Sequence, residues 1–318
     1  MKRKIAVSIL SLFLFFVCNA QTMRFNVMRP AFVNVPRNII SIGLIDRSVI
    51  ENTGRNVLEK GLTAEWLGKD EIASRFAIDG LINVLLNSDR FSVVRTGKTL
   101  VKPGTAKAFP EPFSWADIET LCQEYKVDGI ISLEVFDSDY IIPTNMASVT
   151  VGFRLYDLAT KTIIDERQLT REIFWGGSVN SIGGAINRLL EKDNAIKSVS
   201  YEAGVLYGER IAPTWFSIER EYYRKGKGDK NLEMGARMMD VNDWKAAIDY
   251  LKLGVTSKKR KVQGRSAHNL AVVYEINGEL ETAKKWAQDA WGLYKNKDSR
   301  NYSFILGQRI DEQALLGE

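Results

Sequence analysis

The hydrophobic pattern of this chain changes period once, and that change limits what it can fold into. From residue 37 to about 215, β-branched stretches alternate with amphipathic helical ones; from about 228 onward every segment has helical spacing. A chain of 318 residues is long enough for two cores. The expected fold class is an α/β (α+β) mixed-sheet domain with packed helices, followed by an all-α helical repeat domain. The expected boundaries are a signal peptide at 1–20, an N-terminal lead-in at 21–36, the α/β domain at 37–225 and the repeats with a capping helix at 228–318.

In the first part, "NIISIGLID" reads as a strand ending at Asp46. The next helix is legible in rows four residues apart: Ile72, Phe76, Gly80, Val84; Ala73, Ala77, Leu81, Leu85; Ile78, Ile82, Leu86. Arg75, Asp79, Asn83 and Asn87 form its one wet stripe, which predicts a helix lying flat on a sheet, brought close by Gly80 and the alanines. "FSVVR" reads as a short strand, Ser114 as the N-cap of a second helix, and "IISLEVF" as the next strand. Residues 147–172 alternate with period two around "DLATK", a β-hairpin. A long helix over about 182–207 should turn Ile182, Ile186, Leu189, Ile196, Val199, Ala203 and Leu206 inward, and "APTWFSIEREYY" reads as a final strand of the same mixed sheet.

In the second part, Leu270, Ala271 and Tyr274 precede the turn "NGE", and Ala283, Ala287 and Ala290 follow it, at the offsets of a tetratricopeptide helix pair. A weaker copy has Met234, Gly235, Met238, Ala247, Leu251 and Gly254, with Ala247 and Ala283 36 residues apart. "YSFILGQRIDEQALL" would cap the stack, because one repeat cannot bury its own face.

The leader has Lys2, Arg3 and Lys4, then an apolar run from Ile5 to Val17, too short to span a bilayer. Small Ala20 predicts cleavage between Ala20 and Gln21. Val17 makes a poor residue before an acylated Cys18, so a lipid anchor there is the less favoured alternative. Removal of the leader lowers the formal net charge from +5 to +2 and leaves Cys122 alone, so no intramolecular disulfide can form. The mature chain is expected to be exported, to the periplasm or the outer membrane, without a transmembrane segment. Peripheral membrane association is compatible with that.

Candidate sites are few. Cys122 shares an apolar stripe with Ile118 and Leu121 and reads as core. His268 is the only histidine, which excludes a multi-histidine zinc site and any histidine-based nucleophilic engine that does not use it. The glycines of "WGGSVNSIGGAINR" match neither phosphate-loop pattern and read as a lead-in to a helix. "KKRK", residues 258–261, reads as a solvated inter-repeat loop in a segment, 213–318, of net charge +4. No catalytic, cofactor or metal residues are assigned. By repeat offset, a protein-binding groove would be lined by Arg265, His268, Val272 and Glu275, with Leu232, Ala236 and Met239 from the weaker repeat. The alternative is a small-ligand or hydrolase site at the sheet edge, with Asp46, Asp137 and Asp139.

The segments "RNIISIGLIDRS", "LLNSDRFSVVRT", "YKVDGIISLEVF", "YDLATKTIIDE" and "APTWFSIEREYYRKG", followed by the repeats, resemble the Bacteroidetes envelope family known as domain of unknown function 6340, over nearly the whole mature chain. The family brings no activity and no catalytic residues. More distantly, the order strand, helix, "RFSVV", helix, "VDGIIS" is similar to the small α/β domain of the curli-secretion lipoprotein, of the lipoprotein activators of penicillin-binding proteins, and of the translocation protein TolB. Those domains bind proteins and assemble complexes. The resemblance implies a non-enzymatic envelope adaptor or assembly factor without cofactor, whose partners are envelope proteins of unknown identity rather than nucleic acid.

Overall fold

The structure, a computed structural model, describes residues 20–50, 64–141, 146–174, 182–226 and 228–317. Cys18 and the glycine stretch at 175–181 lie outside them, as do the side chains of Ile182, Ile186 and Leu189. In chain order the elements are β1 (Ala20–Arg29), β2 (Ser41–Ile50), α1 (Ala64–Asn87), β3 (Ser92–Lys102), α2 (Trp115–Tyr125), β4 (Gly129–Ile141), β5 (Met146–Asp157), β6 (Thr162–Phe174), α3 (Ile182–Ile211) and β7 (Thr214–Tyr223). Five helices follow: α4 (Lys230–Asp240), α5 (Trp244–Val255), α6 (Arg260–Ile276), α7 (Leu280–Gly292) and α8 (Lys297–Gly317). The chain therefore has an N-terminal mixed α/β sheet domain and a C-terminal all-helical region. None of the described helices is long and apolar enough to cross a membrane.

Two compact units result, one of the described residues within Met28–Trp215 and a second made of the described residues up to Val27 together with those from Phe216 onward. In the first, the sheet order is β3-β2-β4-β5-β6. β2 runs parallel to β3 and β4, and the β4-β5-β6 meander is antiparallel. Alternate residues of β2 serve opposite faces: Ile42 and Leu44 join the core under α1 and α3, and Ile45 joins Ile118 and Leu121 of α2. Ser114 caps α2 as expected, its hydroxyl accepting from Asp117 N at 3.2 Å. The "DLATK" hairpin also forms, with Asp157 accepting from Ala159 N and Lys161 at φ 51°.

Three expectations need correction. The last strand, β7, is not in the five-stranded sheet; it pairs with β1 in a separate two-stranded sheet, so part of the lead-in is itself a strand. Met23, Phe25 and Val27 alternate with Arg24 and Asn26, which is strand spacing. Next, Leu206 is 39 % exposed; Tyr207 takes the inward position and stacks on Phe153 with ring centroids 4.5 Å apart. Finally, Gly80 does not serve the sheet. A Cβ built on it would lie 2.0 Å from the Tyr201 carbonyl oxygen of α3, and one on Gly204 would lie 1.8 Å from the Ala77 carbonyl oxygen of α1. The two helices meet backbone to backbone, and Ile72 and Leu86 sit outside the buried arc.

In the second unit, each helix packs on the next. Asp229 and Asp243 cap α4 and α5. The turns use Asn242 at φ 59° and Gly278 at φ 80°. The small residues picked out by offset lie at the contacts: Ala247, Ala271, Ala283 and Ala287 are fully buried, and Gly235 abuts Leu251.

Because the α1–α3 contact admits no Cβ, Gly80→Ala and Gly204→Ala should each destabilise the chain by about 1–3 kcal/mol in denaturant unfolding. Gly292→Ala, with nothing within 4 Å of the added carbon, should be neutral or stabilising.

Candidate functional site

The residues assigned to an open groove are brought together by the helical unit, but they are not open. Leu232, Ala236, Met239 and Val272 are fully buried, and His268 and Glu275 are nearly so. What covers α6 is β7, the chain's own strand. Arg220 Nε and Nη2 donate to the two oxygens of Glu275 at 2.7 and 2.8 Å, and Tyr302 donates to the same carboxylate at 2.6 Å. Arg265 donates to the Lys225 carbonyl, and its guanidinium lies 4.7 Å from the centre of the Tyr223 ring. β7 thus occupies the Arg265, His268 and Glu275 positions, while Leu232, Ala236, Met239 and Val272 belong to the core of the unit.

The contact to the strand is read through backbone. Asn269 Oδ1 accepts from Tyr223 N at 2.8 Å and Asn269 Nδ2 donates to Tyr223 O at 2.7 Å. His268 Nε2 lies 3.0 Å from Glu221 O. A carbonyl can only accept, so Nε2 carries the proton, and neutral Nδ1 accepts from the Ser299 hydroxyl at 2.9 Å. Burial holds the His268 pKa below its usual value. The bonded residues, 221 and 223 of β7 and 225 just beyond its end, are two apart, so the strand pair exposes its backbone groups along one edge. The readers Arg265, His268 and Asn269 stand at i, i+3 and i+4 of α6, one helix face. Together they satisfy a strand edge with side chains, where a third strand would otherwise stand.

Sequence reading missed Asn269, Arg220 and Tyr223. The signal for Asn269 was available: it is a polar residue inside the apolar run "NLAVVY", so burial required a partner for its amide. The partners in β7 were hidden because that strand was assigned to the other sheet.

In the α/β unit, Asp46, Asp137 and Asp139 do not converge. Asp46 is buried and accepts from Ser48 N at 2.9 Å, Ser48 Oγ at 2.6 Å and Ser74 Oγ at 2.7 Å. It stands opposite Leu133 in the β2–β4 register, so Asp137, four residues further along β4, is about 13 Å away along the strand. Asp137 and Asp139 pair instead with Lys107, at 3.1 and 3.5 Å. Beside them Asp70 accepts from Ser138, and burial raises its pKa to about 6. A cleft of about 250 Å³ borders Asp46, yet its cations Arg75, Arg95 and Lys98 are already paired with Glu71, Asp79 and Glu124. Cys122 is core, as expected, and burial pushes its thiol up to about 11. Among the described residues no group of three or more His, Cys, Asp or Glu is placed to hold a metal.

A buried ionic cluster lies on the α2 face of the sheet. The fully buried Glu134 accepts from Arg154 Nη1 at 2.6 Å and Tyr156 OH at 2.9 Å. Arg154 also donates to Pro110 O, Arg47 to Glu111 O, and Lys102 to Ala108 O and Glu134 O. Burial lowers the Lys102 pKa to about 8 and raises that of Glu134 against the pull of Arg154. Each charge is spent on a neighbour or on the backbone of 108–111, so the cluster fastens that connection to the sheet.

These features define a two-part protein: a mixed α/β sheet domain, and a helical stack that holds a β-strand along one face. Residues 39–223, most of the α/β unit together with β7, match the family described as Domain of unknown function (DUF8603). The chain belongs to that family. Residues 233–307 match a second family, Domain of unknown function (DUF6340), so the family named by the sequence resemblance accounts for the helical region and not for the α/β part. No curated protein matches the chain. Among solved structures it is distantly similar to the PelC dodecamer from Paraburkholderia phytofirmans, at 10 % identity over 60 % of this chain and 98 % of that one, with a TM-score of 0.29. It is also similar to lipoprotein GNA1162 from Neisseria meningitidis, at 16 % identity over 48 % and 94 %, TM-score 0.23. The corresponding figures for TolB from Acinetobacter baumannii are 11 %, 57 % and 31 %, TM-score 0.23.

Removing the amide clamp by Asn269→Ala should cost about 2–3 kcal/mol, two backbone groups being left unpaired. Hydrogen exchange at the Tyr223 amide should accelerate while amides of the five-stranded sheet keep their protection; unchanged exchange at Tyr223 would refute the clamp. Asp70 holds its proton more tightly when folded, so its contribution is full below the unfolded pKa of 3.8 and is lost as pH rises through about 6. Relative to Asp70→Asn, the native chain should therefore lose stability between pH 4 and 7, by up to ~3 kcal/mol, in urea unfolding at each pH.

Proposed function

We propose that this chain is a non-enzymatic, exported cell-envelope protein that acts as a protein–protein adaptor or assembly factor, with its helical region a tetratricopeptide-type repeat. The observation that carries this reading is the clamp of Asn269 on both backbone groups of Tyr223. A helical face that reads extended backbone is built for peptide segments, not for turnover of a small substrate. The repeat reading is supported by small residues buried at equal offsets in the two helix pairs, Ala247 and Ala283 foremost. Because β7 fills the groove in cis, an external partner would contact surfaces other than Val272, Leu232, Ala236 and Met239. Export is supported by the basic start, the apolar run and Ala20.

The test is cross-linking in intact cells followed by affinity recovery and mass spectrometry of the full chain. The expected result is a mature chain beginning at Gln21, together with one envelope protein in near-equal amount that excess untagged chain displaces. Recovery of the unprocessed chain from the cytosol, or only of proteins also found with the tag alone, would overturn the proposal.

A further inference from the structure

We propose that one end of the helical stack, formed by the α5–α6 and α7–α8 turns, docks on an anionic lipid surface. The alternation of helix direction puts these two turns at the same end, and three contacts join them. Arg260 Nη2 donates to Leu293 O at 2.7 Å, Asn296 Nδ2 donates to Gly264 O at 3.1 Å, and a Cβ on Gly264 would lie 3.1 Å from that of Tyr294. The joined turns present Lys258, Lys259, Arg260, Lys261, Lys295 and Lys297, all exposed. Two acidic groups beside them are engaged within the chain: Asp229 caps α4 and accepts from Ser257, and Asp298 accepts from Tyr223 OH. The opposite end, at the α4–α5 and α6–α7 turns, has no such run of cations; it has Asp240, paired with Arg224, Asp243, which caps α5, and Glu279.

The occupant follows from what accompanies the charge. Leu293 at the α7–α8 turn is 59 % exposed, and Leu253 in the last turn of α5 is 52 % exposed. Leucines set among lysines suit a surface with phosphates outside and hydrocarbon beneath. The leucines enter the interface while the long lysine stems reach up to the headgroups. A run of four consecutive exposed cations, from the α5–α6 turn into the first turn of α6, fits a fluid layer of many anions rather than one.

The test is flotation of the full chain, as processed by the cell, with vesicles of phosphatidylcholine alone or of an equal mixture with phosphatidylglycerol. Binding should be confined to the anionic vesicles and should fall as salt is raised. Lys258→Glu with Lys261→Glu should weaken it about thirtyfold or more, taking roughly fivefold per cation removed. Leu293→Ser should weaken it severalfold without altering the salt dependence. A second pair, Lys295→Glu with Lys297→Glu, should reproduce the loss, and thermal melting confirms that each variant is folded. Equal binding to neutral vesicles, or unchanged binding by both folded charge variants, overturns the proposal. So does retention on a soluble sulfated polymer without vesicle binding, which would assign the patch to a polyanion other than lipid.

Discussion

A β-strand paired on one side only leaves a row of backbone donors and acceptors on the other, and in a packed protein these need partners. For β7 the first side is β1 and the second is the polar face of α6. The helical unit depends on that solution. Tyr222 and Met23, from the two strands, are part of the same core as Leu232, Met239 and Leu270. The strand side chains complete the apolar interior, and the helix side chains complete the strand's hydrogen bonding. A side-chain amide suits the task because it offers a donor and an acceptor at the spacing of a backbone N–H and C=O. Asp or Leu, of similar size, would leave one or both of the strand's groups unsatisfied.

Much of the architecture was legible in the sequence because it rests on local rules. Ser114 as an N-cap, the "DLATK" hairpin, the period-four rows of α1 and the small residues of α5 to α7 each depend on a few neighbouring residues. What was not legible depends on pairing over long distances. The strand pattern of "APTWFSIEREYY" is correct, but no local rule says which sheet it joins. β1 is its partner, some two hundred residues earlier in the chain, and the sequence shows only that both are extended. The residues assigned to a groove by offset lie in one unit, most of them buried. That β7 occupies part of that groove could not be read from the helices alone. Similarly, Gly80 signals a close approach, and only the packing shows that the neighbour is α3 and not the sheet.

The cluster around Glu134 shows the same logic in the α/β unit. A carboxylate without solvent exposure would be strongly disfavoured alone, and Arg154, Tyr156 and Arg47 offset that cost. Replacing the whole set by apolar residues could be tolerated energetically, whereas losing one partner leaves a buried charge. The cluster therefore specifies an arrangement more than it adds stability: Arg154, Arg47 and Lys102 each spend a donor on the backbone of 108–111 and hold that connection in one place.

Both units thus turn their most reactive-looking chemistry inward. The lone histidine is a neutral strut between a serine and a carbonyl, the lone described cysteine is core, and the buried carboxylates hold hydroxyls and guanidinium groups. Interaction capacity is then left to the surfaces that the fold does not use for its own closure. In the helical unit these include the exposed lysines at the turns, whose composition can be set by what lies outside. Placing six cations in two touching turns has a cost in mutual repulsion, which salt screens only in part. An anionic surface removes that cost, whereas a solvated loop with no partner gains nothing from bearing it.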